Sequence, residues 1–179
     1  MKNKQIIKRQ IFLVVCCLLF FLAVLSGIYL AISNNAQISI KDYKENFSFI
    51  KEFFDIFKYT FLTVICGFIP EASIILFFLV AYKGFSIGYT AFAITEEGFL
   101  SRVLLNASFI PAEFFLSFFI IFCASYFSSY NASKHHLIHN RQEMKKRNAE
   151  VIILIALSFI ISFVCALWKI FFSYMLYNH

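Results

Sequence analysis

"IFLVVCCLLFFLAVLSGIYLAI", residues 11–32, contains no charged side chain. As a helix rising about 1.5 Å per residue it is about 33 Å long, enough to cross a hydrocarbon core of about 30 Å. The rest of the chain has the same character. Of its 179 residues 61% are hydrophobic, against roughly 45–50% apolar in soluble domains, and the excess is gathered into long runs. The chain is therefore expected to be an all-α polytopic membrane protein, one integral domain over residues 1–179. A cleaved secretory signal has an apolar region of about 7–15 residues before a small-residue cleavage site, so residues 11–32 read as an uncleaved anchor.

Charge sets the expected orientation. Lys2, Lys4, Lys8 and Arg9 precede the first run without an acid, which places the N-terminus in the cytoplasm. In residues 33–58, Lys41, Lys44, Lys51 and Lys58 balance Asp42, Glu45, Glu52 and Asp55, the pattern of an external loop. Residues 131–150 carry Lys134, Arg141, Lys145, Lys146 and Arg147 against Glu143 and Glu150, the pattern of a basic cytoplasmic loop. About five crossings satisfy these constraints, over residues 11–32, 59–82, 84–103, 104–130 and 151–172. The protein is then multi-pass in the cell membrane, surrounded by lipid, with its C-terminus outside. Trp168, Lys169 and Tyr174 read as interfacial anchors at the end of the last span. Phe49, Phe53 and Phe57 share a helical face opposite the charges of the external loop and are candidates for docking a partner.

Two stretches interrupt the apolar pattern in nearly the same way: "CGFIPEASIILFF" (66–78) and "SFIPAEFFLSFF" (108–119). Proline lacks an amide hydrogen and clashes with the carbonyl four residues back, so Pro70 frees the carbonyl of Cys66 and Pro111 that of Ala107. Broken or re-entrant helices are expected at both. Glu71 and Glu113 would then lie in the first turn of a new helical piece, beside uncapped amides and the positive dipole end. Between the repeats, Gly84 and Gly88 have the small-xxx-small spacing that lets helices approach closely. Arg102 reads as an ion-pair partner for Glu96, Glu97 or Glu113.

Other motifs carry less. Cys16, Cys17, Cys66, Cys123 and Cys165 lie in apolar runs without ligand spacing and read as small hydrophobes. Asn46, Asn106 and Asn131 head sequons that chance explains better than glycosylation. His135, His139 and Glu143 would share a helical face and could hold a metal, but a solvated basic helix near anionic headgroups accounts for the same residues, so no metal or cofactor is expected. The net charge of +6 comes mainly from loops that set topology, which argues against nucleic acid. No HExxH, GxSxG or Gly-rich phosphate loop occurs, so no enzyme is expected.

The stretch YKGFSIGYTAFAITEEGFLSRVLLNASFIPAEFFLSFFIIFCASYFSSY, residues 82–130, resembles the characteristic region of the stage II sporulation protein M family. Lys83, Gly84, Gly88, Tyr89, Thr90 and Pro111 match its KGxxxGFT-and-proline pattern, and the order of spans and loops is similar throughout; Ala112 and Glu113 stand where a polar amide pair is more usual. The resemblance implies a non-enzymatic membrane scaffold that anchors extracytoplasmic peptidoglycan-remodelling enzymes, as in forespore engulfment. The implied partners are cell-wall hydrolases resembling stage II sporulation proteins D and P. Homo-oligomerisation stays open. The alternative reading is a small transporter or channel using Glu71, Glu113 and Arg102.

Overall fold

The structure, a computed structural model, describes residues 2–35, 48–69, 72–93, 99–134 and 141–177. Among them five helices follow one another: α1 (Lys2–Ser33), α2 (Phe49–Phe68), α3 (Ser73–Ala93), α4 (Phe99–Lys134) and α5 (Arg141–Tyr177). The chain is an all-α polytopic membrane protein. Four helices are long and apolar enough to cross a membrane, over Ile6–Ser33, Ile74–Ala93, Val103–Ser128 and Ala149–Met175. The fifth, α2, carries Lys51, Glu52, Asp55 and Lys58 in its first half and falls short in apolarity, not in length.

The helices alternate in direction, as residue pairing shows. Phe20 meets Gly84 and Val24 meets Gly88, so α1 and α3 run parallel. Arg9 meets Phe122 while Phe20 meets Phe114, so α4 runs against α1. Trp168 bonds Ala107 while Tyr126 bonds Glu150, so α5 runs against α4. Tyr59 meets Tyr82, and Glu52 meets Lys169 while Phe57 meets Phe159, so α2 opposes both α3 and α5. The start of α1 and the end of α5 consequently lie at opposite ends of the bundle.

Local chemistry sets the helix ends. Beyond α1 the amide of Asn34 bonds the Leu30 carbonyl, and Asn35 takes a left-handed conformation (φ 46°) that its short side chain tolerates. At the end of α2, Ile69 is extended (φ −95°, ψ 110°), as expected of the residue before a proline, and the amide of Ala72 bonds its carbonyl before α3 begins. The expected span 59–82 is therefore two helices, its first half in α2 and its second in α3. Expected span 84–103 is likewise divided between α3 and the first turn of α4. The reason is that α3 enters the bundle at Ser73 and has used its length by Ala93. Much of the expected external loop is helical too, from Phe49 onward, and the basic loop is helical up to Lys134 and from Arg141.

The core runs along the bundle axis through Cys16, Phe20, Val64, Leu76, Val80, Leu116, Ile120, Cys123 and Cys165. Buried hydroxyls on its helices bond carbonyls of the preceding turn: Thr63 to Tyr59, Ser117 to Glu113 and Ser162 to Ser158. Thr60 and Ser162 also meet across α2 and α5 at 3.2 Å. Such hydroxyls are small enough for close helix contact, and these three satisfy their own donors within their helices. Between α1 and α3 the backbones touch. A Cβ at Gly88 would strike the Val24 carbonyl, one at Gly84 the Phe20 carbonyl, and one at Gly27 the Phe85 carbonyl. The Gly84/Gly88 spacing thus serves contact with α1, and Gly27 completes it from the other side.

Candidate functional site

Four helices each bring one charged side chain to a common point. The Lys83 ammonium on α3 donates to Glu113 Oε2 on α4 at 2.9 Å, and the Lys169 ammonium on α5 donates to Glu113 Oε1 at 3.0 Å. Lys169 also donates to Glu52 Oε2 on α2 at 3.1 Å. Glu113 is the bridge, with one lysine on each carboxylate oxygen. The side chains of Lys83, Glu113, Lys169 and Glu52 are only 6, 15, 4 and 19% exposed. Lys83 further lies 4.2 Å from the centre of the Tyr59 ring and Lys169 lies 4.9 Å from that of Phe109, so each cation also faces an aromatic π-cloud.

The position follows from helix geometry. Lys83 is ten residues before the end of α3, and Glu113 ten residues past Val103, where the apolar part of α4 begins, so both lie about 15 Å inside. Phe20, level with Gly84, is near the middle of the apolar run of α1. In the other direction, about 20 Å along α4 from Glu113, Arg9 stacks over Phe122 and Tyr126 at 4.9 and 5.6 Å, and the Tyr126 hydroxyl donates to Glu150 at 2.8 Å. The quartet is thus deep in the bundle, where charge persists only when paired. Four charges of balanced sign meet that demand. Taking one away would leave a buried ion without its partner, at about 3–5 kcal/mol.

A cavity of about 220 Å³ adjoins the quartet, lined by Glu52, Asp55, Lys58, Tyr59, Tyr82, Lys83, Ser86, Glu113 and Lys169 among others. It stands at the N-terminal end of α2. Tyr59 and Tyr82 stack across it, ring centres 5.6 Å apart, with the Tyr59 hydroxyl donating to that of Tyr82 at 3.3 Å. Asp55 and Lys58 pair with each other on its rim.

Pro111 lies inside a continuous α4 and does not start a new piece. Its missing amide frees the Ala107 carbonyl, and the indole N–H of Trp168 on α5 donates to that carbonyl at 2.9 Å. A neighbouring helix supplies the bond that proline removes, which lets the helix run on. The expected break at Pro111 is corrected accordingly, and so is the expected role of Glu113: mid-helix, it has no free amides to cap and is held by two lysines. Lys169, expected as an interfacial anchor, is buried in the quartet, while Trp168 stays 42% exposed. Both are tied to α4, because antiparallel packing brings them level with Ala107 and Glu113.

The remaining expected residues fall as follows. Lys83 is a member of the quartet, and Gly84 and Gly88 form the α1 contact. Tyr89 stacks on Phe85 with ring centres 6.0 Å apart, and Thr90 is half-buried in α3. Phe49, Phe53 and Phe57 do not form a free docking face: Phe49 packs on Phe163 at 5.9 Å, Phe53 on Phe159 at 5.2 Å and Phe57 on Phe159 at 5.9 Å. The face opposite the charges is the one α5 covers. Pro70, Glu71, Glu96, Glu97, His135 and His139 lie outside the described residues, as do the side chains of Arg102 and Glu143. Among the described residues no group of three His, Cys, Asp or Glu side chains stands together as a metal site.

Sequence reading missed Lys169 and Glu52 as site residues. The available signal was solitude: Lys83, Glu113 and Lys169 are each a lone charge in apolar surroundings, and such charges require one another. Compared with known protein families, curated proteins and solved structures, the chain matches none.

Proposed function

We propose that this chain is a non-enzymatic scaffold of the cell membrane that anchors extracytoplasmic peptidoglycan-remodelling enzymes. The observation that carries the scaffold part is the closure of the charge network. Glu52, Lys83, Glu113 and Lys169 pair with one another and fix the register of four helices, while Asp55 and Lys58 pair on the rim. A frame so cross-linked holds its outer surfaces in constant relative position, which is what an anchoring platform requires. Support for the partner class comes from the resemblance, whose Lys83, Gly84 and Gly88 have concrete framework roles: one in the quartet, two in the α1 contact. The sporulation and engulfment setting belongs to the same resemblance. Orientation with the N-terminus inside and the C-terminus outside accords with the charge asymmetry and with termini at opposite ends of the bundle.

The test is recovery of the tagged protein from native membranes in mild detergent, followed by assay of the eluate for peptidoglycan hydrolase. Hydrolase is expected in the eluate, and deletion of the gene is expected to disperse that hydrolase from its normal position. An empty eluate together with unchanged hydrolase position refutes the scaffold. Single cysteines at Ser39 and Ser133 in a cysteine-free background check orientation: an impermeant maleimide is expected to reach only the first in intact cells.

The cavity reaching Glu113 favours a second reading, a small transporter or channel. A charge-balanced double substitution, Lys83→Met with Glu113→Met, separates the two. Lys169 keeps Glu52, no buried charge is orphaned, and replacement of a buried ion pair by packed apolar side chains is often near neutral. A scaffold keeps its partner and its yield in the membrane, whereas a transporter stays folded and loses flux.

A further inference from the structure

The cavity beside the quartet has unused hydrogen-bonding capacity of both signs. Among the described residues, Glu52 uses only Oε2, leaving Oε1 without a donor. Among the described residues, Lys83 makes one hydrogen bond with its ammonium and faces the Tyr59 ring, so one of its three N–H groups remains. Ser86, in the same lining, adds a hydroxyl. The ionisable lining residues, Glu52, Asp55 and Glu113 against Lys58, Lys83 and Lys169, cancel in charge. A bare cation or anion entering would add an uncompensated charge deep in the bundle, which the surroundings penalise. A molecule carrying one charge of each sign adds none, and it can satisfy an acceptor and a donor at once.

We propose that this cavity binds a small zwitterion, an ammonium joined by a short linker to an oxyanion. Its ammonium is held by Glu52 Oε1 and its oxyanion by the remaining N–H of Lys83 and the Ser86 hydroxyl. A volume of about 220 Å³ takes a molecule the size of a free amino acid, or an ethanolamine phosphate group. The same chemistry is found in free amino acids and in phosphatidylethanolamine headgroups. The proposal is independent of the scaffold reading, because its test uses the purified protein with no wall enzyme present.

The test has two measurements. First, thermal unfolding of the wild-type protein in detergent is followed with glycine, O-phosphoethanolamine, sodium chloride, or mixed micelles containing short-chain phosphatidylethanolamine. A saturable rise of about 5 °C at a hundredfold excess over Kd is expected with a zwitterion and not with salt. Second, a Tyr82→Cys variant, at a half-exposed lining position outside the proposed ligand contacts, is labelled with a hydrophilic maleimide and compared with wild type. The compound that raises Tm is expected to slow labelling of the thiol introduced at position 82 by about fivefold or more. Protection and stabilisation by the lipid micelles alone would support the site with a headgroup as its ligand; by glycine or O-phosphoethanolamine, with a free solute. No shift with any zwitterion, an equal shift with sodium chloride, or a shift without protection of the introduced thiol each overturns the proposal.

Discussion

The two Phe-Ile-Pro stretches begin alike and end in opposite structures. At the first, α2 stops at Phe68, Ile69 is extended, and α3 starts at Ser73. At the second, α4 passes through Pro111 without interruption. The proline chemistry is identical, so the difference lies in what surrounds it. At Pro111 an indole from α5 stands where the lost amide would have been, at 2.9 Å from the Ala107 carbonyl. At Pro111 a neighbour meets the freed carbonyl and the helix runs on, so a proline alone does not end a membrane helix. The acids differ in the same way: Glu113, two residues past its proline, became the centre of a four-helix ion network, while Glu71 directly follows its own.

The contrast can be broken most severely at the acids. Glu113→Gln should cost about 3–5 kcal/mol in unfolding by mixed detergent micelles, since two buried ammonium groups lose their shared counter-charge. Glu71→Gln should cost no more than about 0.3–1 kcal/mol, the ceiling for an acid close to a helix start, since α3 begins only at Ser73 and has no acid in its first turn. Equal costs at the two positions would show that the quartet has no special place in the fold. A smaller effect is expected at the indole. Trp168→Phe leaves the Ala107 carbonyl without a donor in a lipid-facing site and should cost about 1–3 kcal/mol. In a Pro111→Ala background, where an amide can again serve that carbonyl, the cost should fall by at least about 0.5 kcal/mol, and additivity in this double-mutant cycle would disprove the substitution of one donor for another. Smallest of all, Pro111→Ala alone should move stability by less than about 1 kcal/mol, because its carbonyl already has a partner; a large gain would mean that the helix was strained there.

The helical membrane architecture was legible because uncharged runs of bilayer length have few other structures open to them. The proline at the first stretch marked a helix end correctly, and the Gly84/Gly88 spacing marked a close contact. What could not be read was the identity of distant neighbours. Gly27, the third member of that contact, lies far from Gly84 in the chain, and its own small-xxx-small spacing with Ala23 and Ala31 does not say which helix it meets. Trp168 beside Lys169 near the end of an apolar run has the composition of an interfacial anchor, and only the antiparallel register with α4 buries Lys169 and brings the exposed Trp168 indole to the Ala107 carbonyl. The Phe49/Phe53/Phe57 face was correctly seen as amphipathic, but periodicity gives the direction of a face and not its partner. Here that partner is α5, through Phe159 and Phe163.

The quartet has a consequence for biosynthesis. Along the chain its members appear as Glu52, Lys83, Glu113 and Lys169, alternating in sign, one on each successive helix. As the ribosome delivers the helices in turn, each new arrival carries the counter-ion for the excess left by those before it. The partly inserted protein therefore never holds more than one uncompensated unit of this charge. Two like charges never have to wait together for a partner still inside the ribosome. A chain with the order Glu, Glu, Lys, Lys would have to pass through an intermediate with two unpaired carboxylates in the bilayer.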